Sequence, residues 1–388
     1  MTTTTITNHQ GWTKLQPRGY CRDLGNVGIG EPTPPVEIPR NTVLLGDART
    51  RMRELPAASI DCCVTSPPYY ALRDYFVPGQ IGLEASVDDW VKDLTAVMGE
   101  VARVLKPSGS LWLNLGDSFS KHLKFGAPAK SLLAAPERLL LALMADGWIV
   151  RGKVIWSKPN ALPNSVADRP NLTYEVVYFL VRSPRYFFDL DAIREPHRSS
   201  AGRRDTTGKD KTPAWAGPLA DGSQDGLRRF RPAGQPGHPL GKNPGSVWVI
   251  PTKGFRGPHF ATFPPELVRR PILATCPEAV CTRCGRPWRR RVSVTRIPVG
   301  PKSKQPRPRD EFVMRFQDRW HTVREVGDLI SCGCQALTVP GVVLDPFMGA
   351  GTVGVVAEQV GRDWLGIEIS PEYRDLSIKR IEKERAGP

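Results

Sequence analysis

The stretch Val342-Val-Leu-Asp-Pro-Phe-Met-Gly-Ala-Gly-Thr-Val-Gly354 decides the fold class. Val342 to Leu344 read as a short buried strand, Gly349, Gly351 and Gly354 form a tight turn, and a helix is expected from Thr352. Trp364-Leu-Gly-Ile367 follows as a second strand that ends on Glu368, and a last helix starts near Pro371. Glycines at this spacing let a backbone pass close to a ligand, and an acid at the end of the next strand can accept hydrogen bonds from ribose hydroxyls. The turn therefore predicts an adenosine-type cofactor site, with a dinucleotide and S-adenosylmethionine both open on the turn alone.

The same alternation runs upstream. Thr42-Val-Leu-Leu45, Ser59 to Val64, Leu111 to Leu115, Trp148 to Trp156, Tyr174 to Val181 and Ser246 to Ile250 read as strands. Ser86-Val-Asp-Asp89 resembles a capping box, after which Trp90, Leu94, Val97, Met98, Val101 and Leu105 recur at helical spacing until Lys106-Pro-Ser-Gly109 ends the helix. Pro136 to Met144 and Pro264 to Ala274 are further helices. Strands alternating with helices predict an α/β fold with a mostly parallel sheet covered on both faces. With 40% hydrophobic residues in 388, the chain can fill such a core, which excludes a disordered protein.

Charge divides the chain further. The net charge is +15, and two segments carry most of it: residues 194–243 hold ten Lys/Arg against five Asp/Glu, and residues 285–325 hold twelve against four. A near-neutral core with two basic attachments points to a polyanionic partner, because Lys and Arg displace counterions from phosphates. No apolar run is long enough to cross a bilayer and Met1-Thr-Thr-Thr-Thr-Ile lacks the regions of a signal peptide, so a cytoplasmic protein without membrane contact is expected. In a reducing compartment the eight cysteines are thiols or metal ligands. Cys281-Thr-Arg-Cys284-Gly and Cys332-Gly-Cys334 read as two halves of a four-thiolate zinc site, although C-x-C is shorter than the usual knuckle. With all four positions thiolates, that zinc is structural. Cys62 and Cys63 read as small core residues.

Val64-Thr-Ser-Pro-Pro-Tyr-Tyr70 ends the second strand. Pro67 and Pro68 have fixed φ and no N–H, so they hold the loop in one shape and leave carbonyls nearby without donors. Ser66 adds a hydroxyl and Tyr69 a ring, a combination that suits a flat group bearing an amine. Tyr70 is assigned to packing. Thr65-Ser-Pro-Pro-Tyr69 followed far downstream by Asp345-Pro-Phe-Met-Gly-Ala-Gly351 resembles the amino-methylating DNA methyltransferases of the β arrangement, over roughly residues 40–195 and 245–385.

The resemblance implies a Rossmann-like methyltransferase fold, S-adenosylmethionine as methyl donor and double-stranded DNA as substrate, with a cognate restriction nuclease as a further partner. It implies a catalytic tetrapeptide Ser66, Pro67, Pro68 and Tyr69, a cofactor loop containing Asp345, Phe347, Gly349 and Gly351, and Glu368 as the ribose acid. It also implies contacts of Phe263 and Pro264 with the methionine end, within His259-Phe-Ala-Thr-Phe-Pro264. Ser-Pro-Pro-Tyr is more typical of cytosine-N4 than of adenine-N6 enzymes, so N4 transfer to a flipped-out cytosine is expected and N6 transfer is the alternative. A nicotinamide oxidoreductase leaves the Ser-Pro-Pro-Tyr loop unexplained; a zinc-ribbon DNA-binding protein with a decayed core is the alternative of another class. The expected organisation is an extended arm (1–40), a catalytic half (41–193), a target-recognition insertion (194–245) with Arg203, Arg204, Arg228, Arg229 and Arg231 available to DNA, a return to the core (246–275), a basic insertion with the zinc-ribbon cysteines (276–336) and a cofactor-binding half (337–388).

Overall fold

A computed structural model describes residues 37–196, 240–252, 262–298 and 320–386. The N-terminal arm up to residue 36, the five insertion arginines named above and His259 to Ala261 lie outside the described residues.

Eight strands form one sheet: β1 (Thr42–Leu45), β2 (Ile60–Thr65), β3 (Leu105–Leu115), β4 (Ile149–Ser157), β5 (Tyr174–Val181), β6 (Val247–Val249), β11 (Val342–Asp345) and β12 (Asp363–Glu368). Their order across the sheet is β1-β12-β11-β2-β3-β5-β4-β6. β5 runs antiparallel to both its neighbours and every other pairing is parallel. The α/β class with a mostly parallel sheet is therefore as expected.

Each strand alternates its side chains between two cores. Leu111, Leu113 and Leu115 of β3 face one layer, with Trp90, Leu94, Val97, Met98 and Val101 of helix α2 (Val87–Val104) and Leu139 and Leu143 of α3 (Ala135–Ala145). Trp112, between those leucines, faces the other layer, with Leu267, Val268 and Ile272 of α4 (Pro265–Thr275) and Val353 and Val356 of α5 (Thr352–Gln359). Full burial of each such side chain is worth about 1.5–3 kcal/mol. A last helix, α6 (Pro371–Arg385), packs Ser377 and Ile381 against the glycine turn.

Ser86 caps α2 by accepting from the Asp89 N–H, as the capping box predicts. Two local features differ from expectation. Asp47 does not merely close β1; its side chain accepts from Thr50 N and caps a short helix α1 (Ala48–Arg53) that its few residues could not reveal by periodicity. Lys106-Pro-Ser-Gly109 does not stop the chain after α2 but starts β3, with a register shift against β2 between Ile60 and Cys62. Lys106 Nζ there reaches Asp61 Oδ1 at 2.7 Å, while Asp61 Oδ2 accepts from Val342 N at 3.0 Å. The one acid inside β2 is thus paired, and it ties β2 to β3 and to the start of β11.

The segment after α4 forms two small two-stranded sheets. β7 (Val280–Cys281) pairs with β10 (Thr338–Val339), and β8 (Arg289–Pro298) pairs antiparallel with β9 (Trp320–Ile330). No helix among the described residues is long and apolar enough to cross a membrane.

Candidate active site

The parallel strands β1, β2, β3, β11 and β12 all end at one edge of the sheet, where an open α/β fold leaves a crevice for ligands. A cleft of about 840 Å³ lies there. On the side of the glycine turn, β11 delivers Asp345, whose Oδ1 accepts from Thr65 Oγ1 at 2.7 Å and from Phe347 N at 3.0 Å. Burial pushes this carboxyl up to about 7, against the pull of its two donors. Glu368 ends β12; its Oε2 accepts from Gly349 N at 2.8 Å and its Oε1 from Ser370 N at 2.9 Å. Burial raises its pKa as well, and the backbone N–H groups lower it. Gly351 has φ 78°, a left-handed conformation that favours glycine, and a Cβ there would sit 3.0 Å from Ser377 Cβ. The turn is therefore shaped both by its own backbone and by the close approach of α6.

On the opposite side, the loop after β2 presents Ser66, Pro67, Pro68 and Tyr69. The Pro68 carbonyl is not free, because it accepts from the indole of Trp90 at 3.0 Å and so fastens the loop to α2. Tyr69 donates its phenolic proton to Glu175 Oε2 at 2.7 Å. Asn114 Nδ2 lies 2.8 Å from both the Tyr69 hydroxyl and Glu175 Oε2, and 3.3 Å from Ser66 Oγ. Ser66 Oγ is 3.1 Å from the Tyr69 hydroxyl. Lys158 Nζ pairs with the second oxygen of Glu175 and lies over the Trp156 ring. Burial, then the neighbouring Glu175, hold the Tyr69 pKa well above its ordinary value, so the phenol keeps its proton.

The sheet explains why these groups meet. β5 is antiparallel, so Glu175 at its start lies at the same edge as Asn114 near the end of β3, and Lys158 directly follows β4 beside it. Gly116, one residue past β3, lies against the Tyr69 ring, where a Cβ would stand 2.7 Å from Cε2.

Of the residues singled out in the sequence, Ser66, Pro67, Pro68, Tyr69, Phe263, Phe347, Gly349 and Glu368 line the cleft together. Asp345 lies beneath it, buried, Gly351 forms the N-cap of α5 behind it, and Pro264 stands at the start of α4 outside the lining. Tyr70 is buried edge-on to Phe125, a packing residue as expected. Asn114, Lys158 and Glu175 went unnoticed in the sequence, and the signal for Asn114 was a polar residue within the apolar run of β3. The four ribbon cysteines come together, every Sγ within 4.8 Å of the others.

Known proteins place the chain. The DNA methylase family, which groups N6 and N4 methyltransferases, matches residues 60–280 and 328–379. The Type II methyltransferase M.Cfr9I of Citrobacter freundii is 32% identical over 90% of this chain and 90% of its own length. The Type II methyltransferase M.SmaI of Serratia marcescens is 30% identical over 88% of this chain and 91% of its own length. Among solved structures, the cytosine-N4-specific PvuII DNA methyltransferase shares the fold at a TM-score of 0.50 and 17% identity, over 88% of both chains. With its sheet order, its glycine turn and relatives similar along nearly their whole length, the chain belongs to the N6/N4 DNA methylase family as a Type II DNA methyltransferase.

Proposed function

We propose that the protein transfers a methyl group from S-adenosylmethionine to the exocyclic N4 of a cytosine flipped out of double-stranded DNA. One observation carries the reading: the order of protons around Ser66. A carboxylate can only accept, so the single proton of Tyr69 is committed to Glu175. In the contact between Ser66 and Tyr69, Ser66 is then the donor. Asn114 has two N–H protons for three acceptors, the Tyr69 hydroxyl and Glu175 Oε2 at 2.8 Å and Ser66 Oγ at 3.3 Å, so at least one lone pair on Ser66 Oγ remains for a proton of the base amine. The Glu175 charge polarises this chain and makes Ser66 a better acceptor than an isolated hydroxyl.

An amine on a base is a poor nucleophile because its lone pair is delocalised into the ring. Hydrogen bonds to Ser66 Oγ and the Pro67 carbonyl favour a pyramidal nitrogen whose lone pair points at the methyl donor. The chain's contribution is then alignment and a fitted acceptor set, with no covalent enzyme intermediate. Extruding the base costs a few kcal/mol, and stacking on Tyr69 recovers about 1–3 kcal/mol of it. Across the cleft, Glu368 accepts from ribose hydroxyls, Phe347, Gly349 and Gly351 shape the cofactor loop above Asp345, and Phe263 with Pro264 closes over the methionine end. The basic insertion at 194–245 reads the target, and a cognate restriction nuclease is the corresponding cellular partner.

The cytosine preference rests on Ser66 standing where adenine-N6 members typically carry aspartate. Glu175 favours the second reading, adenine N6, because it puts a carboxylate close to Ser66; its pairing with Lys158 and its use by Tyr69 speak against its receiving a base amine. Incubation with methyl-labelled S-adenosylmethionine and unmethylated DNA, followed by digestion to nucleosides, separates the readings. Label in N4-methylcytosine supports the proposal, and label in N6-methyladenine overturns it.

A further inference from the structure

Cys281 and Cys284 flank a turn that is already shaped to hold a metal. Gly285 N donates to Cys281 O at 2.9 Å, and Arg283 N points at Cys281 Sγ at 3.4 Å. Gly285 has φ 66°, which lets the chain leave the turn without a Cβ clash. The second pair, Cys332 and Cys334, brackets Gly333, which has φ 79°, so that its backbone conformation and not crowding favours glycine: a Cβ there would meet nothing within 4 Å. The pairing of β7 with β10 and the bond from Thr282 N to Leu337 O at 2.9 Å bring the two pairs together. Tetrahedral zinc with Zn–S bonds of about 2.3 Å needs sulfurs about 3.8 Å apart. The four Sγ atoms lie within 4.8 Å of one another, so no separation exceeds that requirement by more than about 1 Å.

The surroundings say what such a metal is for. The β8–β9 ribbon is two-stranded and, among the described residues, shares no strand pairing with the eight-stranded sheet. A two-stranded ribbon is at best marginally stable alone. Its root is tied to the body by Arg290, which reaches Asp189 at 3.2 Å and Glu278 at 3.0 Å, and by Trp288 N donating to Ala279 O at 2.8 Å. The four thiols stand at this root, Cys281 and Cys284 just before β8, Cys332 and Cys334 just after β9. None of them lines the cleft.

We propose that Cys281, Cys284, Cys332 and Cys334 bind one zinc ion as a closed, structural tetrathiolate site that fastens the root of the β8–β9 ribbon. The site takes no part in methyl transfer, since four thiolates leave no open position. Its existence does not depend on which amine is methylated.

The test uses the full chain, purified without chelator. Elemental analysis is expected to give one zinc per chain, and cobalt(II) exchanged into the site is expected to show the intense visible d–d bands of a tetrahedral thiolate centre. Cys332→Ser with Cys334→Ser should abolish both signals, whereas Cys276→Ala, a thiol outside the cluster, should keep them. Binding of labelled S-adenosylmethionine should be unchanged after the zinc is stripped. Wild-type protein without zinc and without a thiolate cobalt spectrum would overturn the site, whether or not the double variant folds. Zinc retained by a folded double variant would overturn the ligand set, and loss of cofactor binding on stripping would overturn the purely local structural role.

Discussion

Gly116→Ala asks the most of the proposed catalytic geometry with the least disturbance elsewhere. Gly116 is not among the positive-φ glycines, so alanine brings no backbone strain. Its Cβ would stand 2.7 Å from Tyr69 Cε2, 3.0 Å from Cδ2 and 3.4 Å from Glu175 Cγ. Carbon atoms rest about 3.5–4.0 Å apart, so the tyrosine ring must retreat by about 1 Å. The ring cannot retreat and keep its hydroxyl where Glu175 and Asn114 hold it at 2.7 and 2.8 Å. Losing a hydrogen bond to a charged group costs about 1.5–3 kcal/mol, and a misplacement of about 1 Å near reacting atoms can lower a rate on the order of 100-fold. We expect kcat/KM for DNA methylation to fall about 10- to 100-fold, with cofactor affinity unchanged and the melting temperature lowered by several degrees. Steady-state methylation, isothermal titration with S-adenosylmethionine and a thermal melt measure the three quantities. Wild-type turnover in Gly116→Ala would refute the placement of Tyr69 in the reaction.

Three further outcomes follow from the same geometry. Tyr69→Phe keeps the ring and should retain base capture while slowing methyl transfer, whereas Tyr69→Ala should also weaken capture of the flipped base by about 1–3 kcal/mol, which base-analogue fluorescence reads separately from single-turnover rates. Glu175→Gln can donate as well as accept, so it disturbs the proton order at Ser66 and should slow single-turnover methylation about 10- to 100-fold without changing cofactor binding; an unaltered rate would refute the relay. Asp345 titrates at about 7 in the folded protein against an ordinary 3.8, so the native state keeps a proton that the unfolded chain has already released. The resulting stabilisation is full below about 4 and is lost as pH rises through about 7; the melting temperature of the wild type should therefore fall relative to Asp345→Asn over that window, and parallel pH profiles would contradict it.

How much of this was legible in the sequence depends on how local the cause is. The glycine turn and the cap at Ser86 are written within a few residues, and both appear where the pattern puts them. Helix α1 escaped because six residues, Ala48 to Arg53, contain too few turns to show a period. Asp61 looked like an interruption of a strand, since its partners Lys106 and Val342 N come from strands that only the folded sheet makes adjacent. The same holds for Asn114, Lys158 and Glu175, which meet because antiparallel β5 inserts between β3 and β4. That insertion is a matter of topology, and no spacing in the chain announces it. The β8–β9 ribbon was overlooked for a different reason: Val292-Ser293-Val294-Thr295 does alternate apolar and polar residues, but the run is short and lies in a segment dominated by charge and cysteines.

The identity of the modified base tests the proposed chemistry at its source. The wild-type chain and Ser66→Ala would each be expressed in a host lacking DNA methylation, and genomic DNA read by single-molecule sequencing with nucleoside mass spectrometry alongside. We expect N4-methylcytosine at one recurring sequence in the wild type and its loss or strong reduction in Ser66→Ala. N6-methyladenine in its place, or DNA with no methylated amine from a folded, cofactor-binding protein, would contradict it.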